Sequence, residues 1–208
     1  MTLLLPALHD TLKAFTTQTC TDFILWDGVI QTITKSLSFD DGCTLLISMV
    51  CPTLFTLPSA FWRDDKLQQI SALLIEQVEV TSRLNDAGAK KLLQDCLGIL
   101  IEAVTDDTLL KKINLDILMH TRSEDSRSRL TALSFSEALW RTHGGKLLGT
   151  HILSRKNMVL NLKQIIGFVA ETATFIAECS EDENDMVVKE SFRLKDAVES
   201  VAGKIDGL

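Results

Sequence analysis

Residues 113–133 read INLDILMHTRSEDSRSRLTAL, and this stretch decides the fold. Ile113, Ile117 and Leu118 share one face of a helix, at the spacing of an amphipathic turn. The polar run from Arg122 to Arg129 interrupts that face, and Leu130 and Leu133 then open a second one. Within the interruption, Ser123, Glu124, Asp125 and Ser126 supply side-chain oxygens where a new helix has unpaired N–H groups. Residues 169–194, VAETATFIAECSEDENDMVVKESFRL, repeat the grammar. Val169, Ala173 and Ile176 form an apolar stripe, the acidic turn 181–185 breaks it, and Val187, Val188 and Leu194 resume it. A short polar connection between two apolar helices makes them antiparallel neighbours. Two consecutive units of this kind favour an α-solenoid of stacked helix pairs over a closed bundle.

The same period extends outward from these two units. Leu92, Leu93, Cys96, Leu97, Leu100, Ile101 and Val104 make a broad helical face, and Leu67, Ile70, Leu74 and Val78 a narrower one. Phe23, Trp26, Ile30, Ile33 and Leu37 make a third, preceded by Leu5, Leu8, Leu12 and Phe15. No window of similar length keeps the strict alternation of a strand. The reading is all-α, with about nine helices at 3–17, 22–37, 43–57, 64–83, 86–104, 108–121, 126–142, 158–179 and 185–203. Pro52 and Pro58 bracket the least regular part, where a kink or two short helices are expected. Residues 143–157 read as an ordered loop, with Gly144 as the left-handed residue that ends the preceding helix. No linker divides the chain, so residues 1–208 are expected to form one α-solenoid module: diverged helix pairs over 1–107 and clearer repeats over 108–208.

Composition narrows the function classes. The chain has 208 residues, 46% hydrophobic and 24% charged, with a formal net charge of -7. That balance is ordinary for a soluble globular protein and argues against a generic coat for polyanions. The five cysteines, Cys20, Cys43, Cys51, Cys96 and Cys179, are irregularly spaced with no CxxC pair, which reads as reduced thiols in a cytosolic or nuclear compartment. The run Leu3-Leu4-Leu5-Pro6 is too short for a signal-peptide core. No segment approaches the roughly 20 apolar residues that span a bilayer.

In its C-terminal half the chain resembles a known family. The rhythm carried by His120, Thr121, Arg122, Ser123, Asp125, Arg129, Ala132 and Leu133 is similar to the last HEAT repeats of the large HEAT-repeat subunit of the small-subunit processome, in the nucleolar U-three-protein family. The segment from Val159 through Ile166, Phe168, Val169 and Ala170 to the acidic turn 181–185 and Gly203 resembles that family's closing repeat. The resemblance covers roughly residues 108–208. It implies HEAT repeats, in which turn acids cap the second helix and an early basic residue links neighbouring repeats. Arg127 or Arg129 suits that role in the first unit, and the second has no arginine at the matching place. Members of the family are very much longer, so the resemblance implies the tail of a longer array. The loop 143–157, with His143, His151 and Arg155-Lys156, departs from the simple connection expected there.

Charge supplies the candidate contacts. Residues 111–163 hold ten Lys/Arg against four Asp/Glu, a local +6 that leaves -13 on the rest of the chain. A basic stretch on an acidic chain fits RNA phosphates or an acidic partner, and Arg122, Arg127, Arg129, Arg155 and Lys156 are the candidate contacts, acting on backbone and not on bases. The competing reading is a solvated helix face with ion pairs between repeats. Only Phe135 and Trp140 lie near this stretch, short of the interleaved aromatics of a single-strand groove. Trp62, beside Arg63-Asp64-Asp65 at a helix start, is the candidate anchor for a protein interface. His143 and His151 are two ligands without a third, a poor metal site. Gly144-Gly145-Lys146 follows a helix and lacks the phosphate-loop pattern. No cofactor, small-molecule substrate or catalytic constellation is expected.

The function read from the sequence is therefore binding. The resemblance implies a scaffold for small-subunit ribosome biogenesis in the nucleolus, with processome subunits and pre-ribosomal RNA as partners. The alternative is a HEAT/armadillo adaptor in another assembly, such as nuclear transport or cytoskeletal chaperoning.

Overall fold

Among the described residues, helical spacing in the sequence is realised as helix. The structure, a computed structural model, describes Gly28, Gln31 and residues 66–84, 86–148 and 158–204, with side chains of the last segment described from Phe168 onward. Among the described residues there are six α-helices and no strand. The helices expected at 3–17 and 43–57 lie outside the described residues, as does all of 22–37 except Gly28 and Gln31, both helical. The chain divides into two compact units, residues 1–104 and 105–208.

In the first unit, α1 (Lys66–Leu84) and α2 (Ala87–Ala103) pack together as a hairpin. Ile70, Leu74 and Val78 on α1 and Leu93, Leu97 and Leu100 on α2 are fully buried. Each such side chain contributes about 1.5–3 kcal/mol by leaving water. Asp86 sits in extended conformation ahead of α2 and accepts from the N–H groups of Gly88 (2.8 Å) and Ala89 (3.3 Å). Those two donors would otherwise have no helical acceptor, so Asp86 starts α2 at the polar break in the sequence.

The second unit is built from two hairpins. The first is α3 (Asp107–Met119), a 3-10 turn (His120–Arg122) and α4 (Ser126–Leu147); the second is α5 (Met158–Ser180) and α6 (Asp185–Ala202). Helix starts follow the capping chemistry read from the sequence. Asp106, Asp125 and Asn184 accept from Thr108, Arg127 and Met186 N–H at 2.9, 3.0 and 2.9 Å. Helix α3 packs on α5, and α4 packs on α6, so the hairpins stack with like helices side by side. The apolar core of this unit includes Ile113, Ile117, Phe135, Leu139, Phe175, Ile176, Val187, Leu194 and Val198.

A polar network runs through this core. The indole N–H of Trp140 on α4 donates to Asn114 Oδ1 on α3 at 3.0 Å. Asn114 Nδ2 donates to Thr172 Oγ1 on α5 at 3.3 Å, and that hydroxyl donates to the Phe168 carbonyl at 3.2 Å. Trp140 also stacks on Phe168, with centroids 5.6 Å apart. Asn114, Trp140 and Thr172 are buried. Because buried polar groups need partners, these bonds fix how α3, α4 and α5 meet.

One expectation fails at Gly144. Helix α4 runs through Gly144-Gly145 to Leu147, so Gly144 does not end it, and residues 143–147 of the expected loop are helical. Among the described residues the one glycine in the left-handed region is Gly203, at φ 86°, where α6 stops. Gly144 is buried, and a Cβ built there would lie 2.7 Å from Val201 Cγ2 on α6. Its role is to let the two helices approach, which overrides the helix-ending tendency of a glycine pair. Gly144→Leu is expected to destabilise the chain by about 2 kcal/mol through overpacking. Denaturant unfolding would check this, and Val201→Ala in the same chain should recover part of the loss.

Candidate functional site

The arginine-rich turn between α3 and α4 is where the candidate contacts can be placed. The 3-10 turn carries the chain from α3 toward the Asp125 cap; Arg122 ends that turn, and Arg127 and Arg129 lie at the start of α4. Arg122 reaches the other hairpin. Its Nε and Nη2 donate to Glu178 Oε2 and Oε1 at 2.9 and 2.8 Å, a two-pronged pair. Its guanidinium carbon lies 4.5 Å from the centroid of the Phe175 ring. Both members of the ion pair are about half exposed. Arg127 stays local, with Nε donating to Asp125 Oδ1 at 3.2 Å, and it too is exposed.

Arg129 differs from both. It is 8% exposed, and its guanidinium is committed on two sides. Nη1 donates to the Ser123 and Glu124 carbonyls, each at 3.0 Å, which ties down its own turn. Nη2 donates to Asp182 Oδ1 at 2.9 Å across to the second hairpin. Nε lies 2.8 Å from Asp182 Oδ2, an ionic contact whose angle falls short of a hydrogen bond. Of the two arginines expected to link neighbouring repeats, Arg129 joins the two hairpins of residues 105–208 and Arg127 does not.

The two turns explain how this tie arises. Counting from the caps Asp125 and Asn184, Ser123 and Asp182 hold equivalent places. Each accepts from the N–H of its cap residue, Ser123 Oγ at 3.3 Å and Asp182 Oδ1 at 2.9 Å. Arg129 stands four residues after its cap, where the second hairpin has Val188. A carboxylate in the second turn therefore meets a guanidinium from the first.

The acids on this edge titrate low. At Glu178 the bonds from Arg122 dominate and hold the carboxyl below its ordinary value, against a smaller opposing effect of burial. At Asp182 burial pushes the carboxyl up, but the bonds from Arg129 and the Asn184 N–H, with the Arg129 charge, together outweigh it and the net direction is down. A carboxyl whose folded value lies below its unfolded value stabilises the fold above the ordinary carboxylate range. That contribution is lost as pH falls through the depressed folded value. Unfolding measured from about pH 7 to about pH 3 should show falling stability in the acid limb, with a shallower fall in Arg129→Met.

Other basic residues of the 111–163 stretch are also matched by acids. Lys112 pairs with Asp116 and Arg141 with Glu137, each one helical turn away. An exposed pair is weak and exchanges its partner readily, so Arg122 and Arg127 can still meet a phosphate. Arg129 cannot do so without leaving the half-buried Asp182 carboxylate without its counter-charge. Arg155, Lys156 and Trp62 lie outside the described residues, as does His151. Phe135 and Trp140 are core residues. Cys179 is buried beside the Thr121 hydroxyl, and burial pushes its thiol up, away from the reactive thiolate. Among the described residues no three His, Cys, Asp or Glu converge on a metal position, and no helix is long and apolar enough to cross a membrane. Sequence reasoning did not single out Asp182 or Glu178, which fall within the acidic turn 181–185 and the helix expected at 158–179. The signal available for them was the reach of an early arginine toward the next turn.

No protein-family model matches the chain, and no solved structure matches it. Among curated proteins, the chain is similar to U3 small nucleolar RNA-associated protein 10 of Pyricularia oryzae, at 23% identity over 194 residues, 93% of this chain and 9% of that protein. It is also similar to an uncharacterized protein of Arabidopsis thaliana, at 36% identity over 92 residues, 44% of this chain and 3% of that protein. The chain thus spans under a tenth of the length of either relative, and the first similarity reaches well beyond the 108–208 region that carries the motifs.

Proposed function

We propose that the chain is a HEAT-type scaffold module of small-subunit ribosome biogenesis, acting in the nucleolus by binding and without bond chemistry. The observation that carries this reading is the similarity over 93% of the chain to a protein associated with U3 small nucleolar RNA. The stacked hairpins of residues 105–208 support it, because like helices lie side by side and an arginine from one turn meets an acid of the next. Its partners are processome subunits, and pre-ribosomal RNA is held through exposed basic side chains, Arg122 and Arg127 together with Arg155 and Lys156.

Affinity purification of the full chain from cells tests the assignment. Recovery of U3 small nucleolar RNA and small-subunit precursors is the expected result; recovery of transport receptors or tubulin in their place would sink it in favour of an adaptor role. For the RNA contact, charge reversal at Arg122, Arg127, Arg155 and Lys156 should weaken RNA binding and flatten its salt dependence. Unchanged affinity would remove RNA from the partners.

A further inference from the structure

We propose that Ser180 is a phosphoacceptor for an acidophilic protein kinase, and that its phosphate loosens the tie between the two hairpins of residues 105–208. Ser180 is followed by Glu181, Asp182 and Glu183, carboxylates at each of the three next positions. A kinase that selects acidic substrates offers basic groups to that side of the acceptor, so the match is one of charge. Glu181 and Glu183 are exposed, the Glu183 side chain at 92%.

Access to the hydroxyl follows from where Ser180 sits. It is the last residue of α5 and half-buried, and its Oγ donates to the Ala177 carbonyl at 2.7 Å. The backbone bonds that close the turn after it are long, Glu181 N to Glu178 O at 3.4 Å and Asp182 N to Cys179 O at 3.3 Å. Long bonds at a helix end open more easily than the helix body. Bringing 180–183 into a kinase cleft also breaks the Arg129–Asp182 pair, so the transfer takes place in the fraction of chains in which that tie is open. Ser123 in the other turn is a poorer acceptor, since its third following residue is Ser126 and Asp125 caps α4.

In the transfer, Ser180 Oγ attacks the γ-phosphorus of kinase-bound ATP. The new O–P bond forms as the bond to ADP breaks, the hydroxyl proton passes to the kinase's base, and ADP leaves. The product adds a charge of about -1.5 to -2 at the C-terminal end of α5, where the helix dipole is already negative. Glu178 and Asp182 flank it at two residues on either side. Arg122 and Arg129 already pair with these two acids, so the phosphate repels the carboxylates and competes for their partners.

The test treats the full chain with casein kinase 2 and ATP, followed by peptide mass spectrometry and thermal unfolding. Phosphate is expected on the peptide that contains Ser180. It should be lost in Ser180→Ala and slowed severalfold in the Glu181→Gln/Glu183→Gln double variant. The phosphorylated chain should melt several degrees below the untreated chain, with Ser180→Asp shifted the same way and Ser180→Ala unshifted after kinase treatment. Absence of phosphate on Ser180 of the folded chain overturns the site, whether or not a free peptide of residues 176–188 is phosphorylated. Phosphate on Ser180 with an unchanged melting temperature overturns its effect on the hairpin tie.

Discussion

Arg129→Met is expected to lower unfolding stability by about 3 kcal/mol, the low end of the cost of removing one partner of a buried ion pair. Methionine keeps much of the side-chain volume, so the loss comes from charge and hydrogen bonding more than from a cavity. Asp182, whose side chain is 12% exposed in the native chain, would lose its guanidinium. The Ser123 and Glu124 carbonyls would lose the donor they share. Two connections fail at once, one across the hairpins and one within the α3–α4 turn. Arg122 is expected to matter less, since its pair with Glu178 is half exposed and water replaces either partner.

A double-mutant cycle separates the bridge from these local losses. Asp182→Asn keeps an acceptor for the Asn184 N–H but removes the charge that faces Arg129. Combined with Arg129→Met, it should cost clearly less than the two single losses added together, because the tie can be broken only once. Additivity within about 0.5 kcal/mol would mean that Arg129 and Asp182 are independent, and the ion pair would then not be what joins the hairpins.

How much of this was legible in the sequence depended on the range of the interaction. Apolar stripes such as Ile113/Ile117 and Leu93/Leu97/Leu100 are local patterns, and the helices appear where they fall. The cap Asp125 was equally legible, because a cap and the N–H groups it satisfies lie within three residues. Arg129 could be anticipated as a link toward the next turn, but not which acid of that turn it meets, since Asp182 lies 53 residues away. Gly144 was misread for the same reason: a glycine pair locally favours a helix end, and only Val201 on α6 gives it a use inside the helix. The sequence left the basic stretch open between a contact surface and ion pairs between repeats. The fold brings acids of the second hairpin to Arg122 and Arg129, while Arg127 and Arg141 meet acids close by in sequence.

Asn114→Leu is expected to cost about 3 kcal/mol, although leucine is the more apolar side chain and similar in size. The position lies among Ile113, Ile117 and Leu118, so hydrophobicity alone would favour the change. The geometry opposes it. Leucine removes the acceptor of the Trp140 indole N–H and the donor to Thr172 together, and both groups stay buried away from water. A buried polar group left unpaired costs about 1–3 kcal/mol, and Trp140 cannot turn outward without giving up its stacking on Phe168. Thr172 keeps its bond to the Phe168 carbonyl, so its share is the smaller one. Trp140→Phe supplies the control: with no indole N–H to satisfy, Asn114→Leu in that background should cost less than in the native chain. An equal cost in both backgrounds would show that the Trp140 bond is not what makes Asn114 necessary, leaving side-chain shape as the cause.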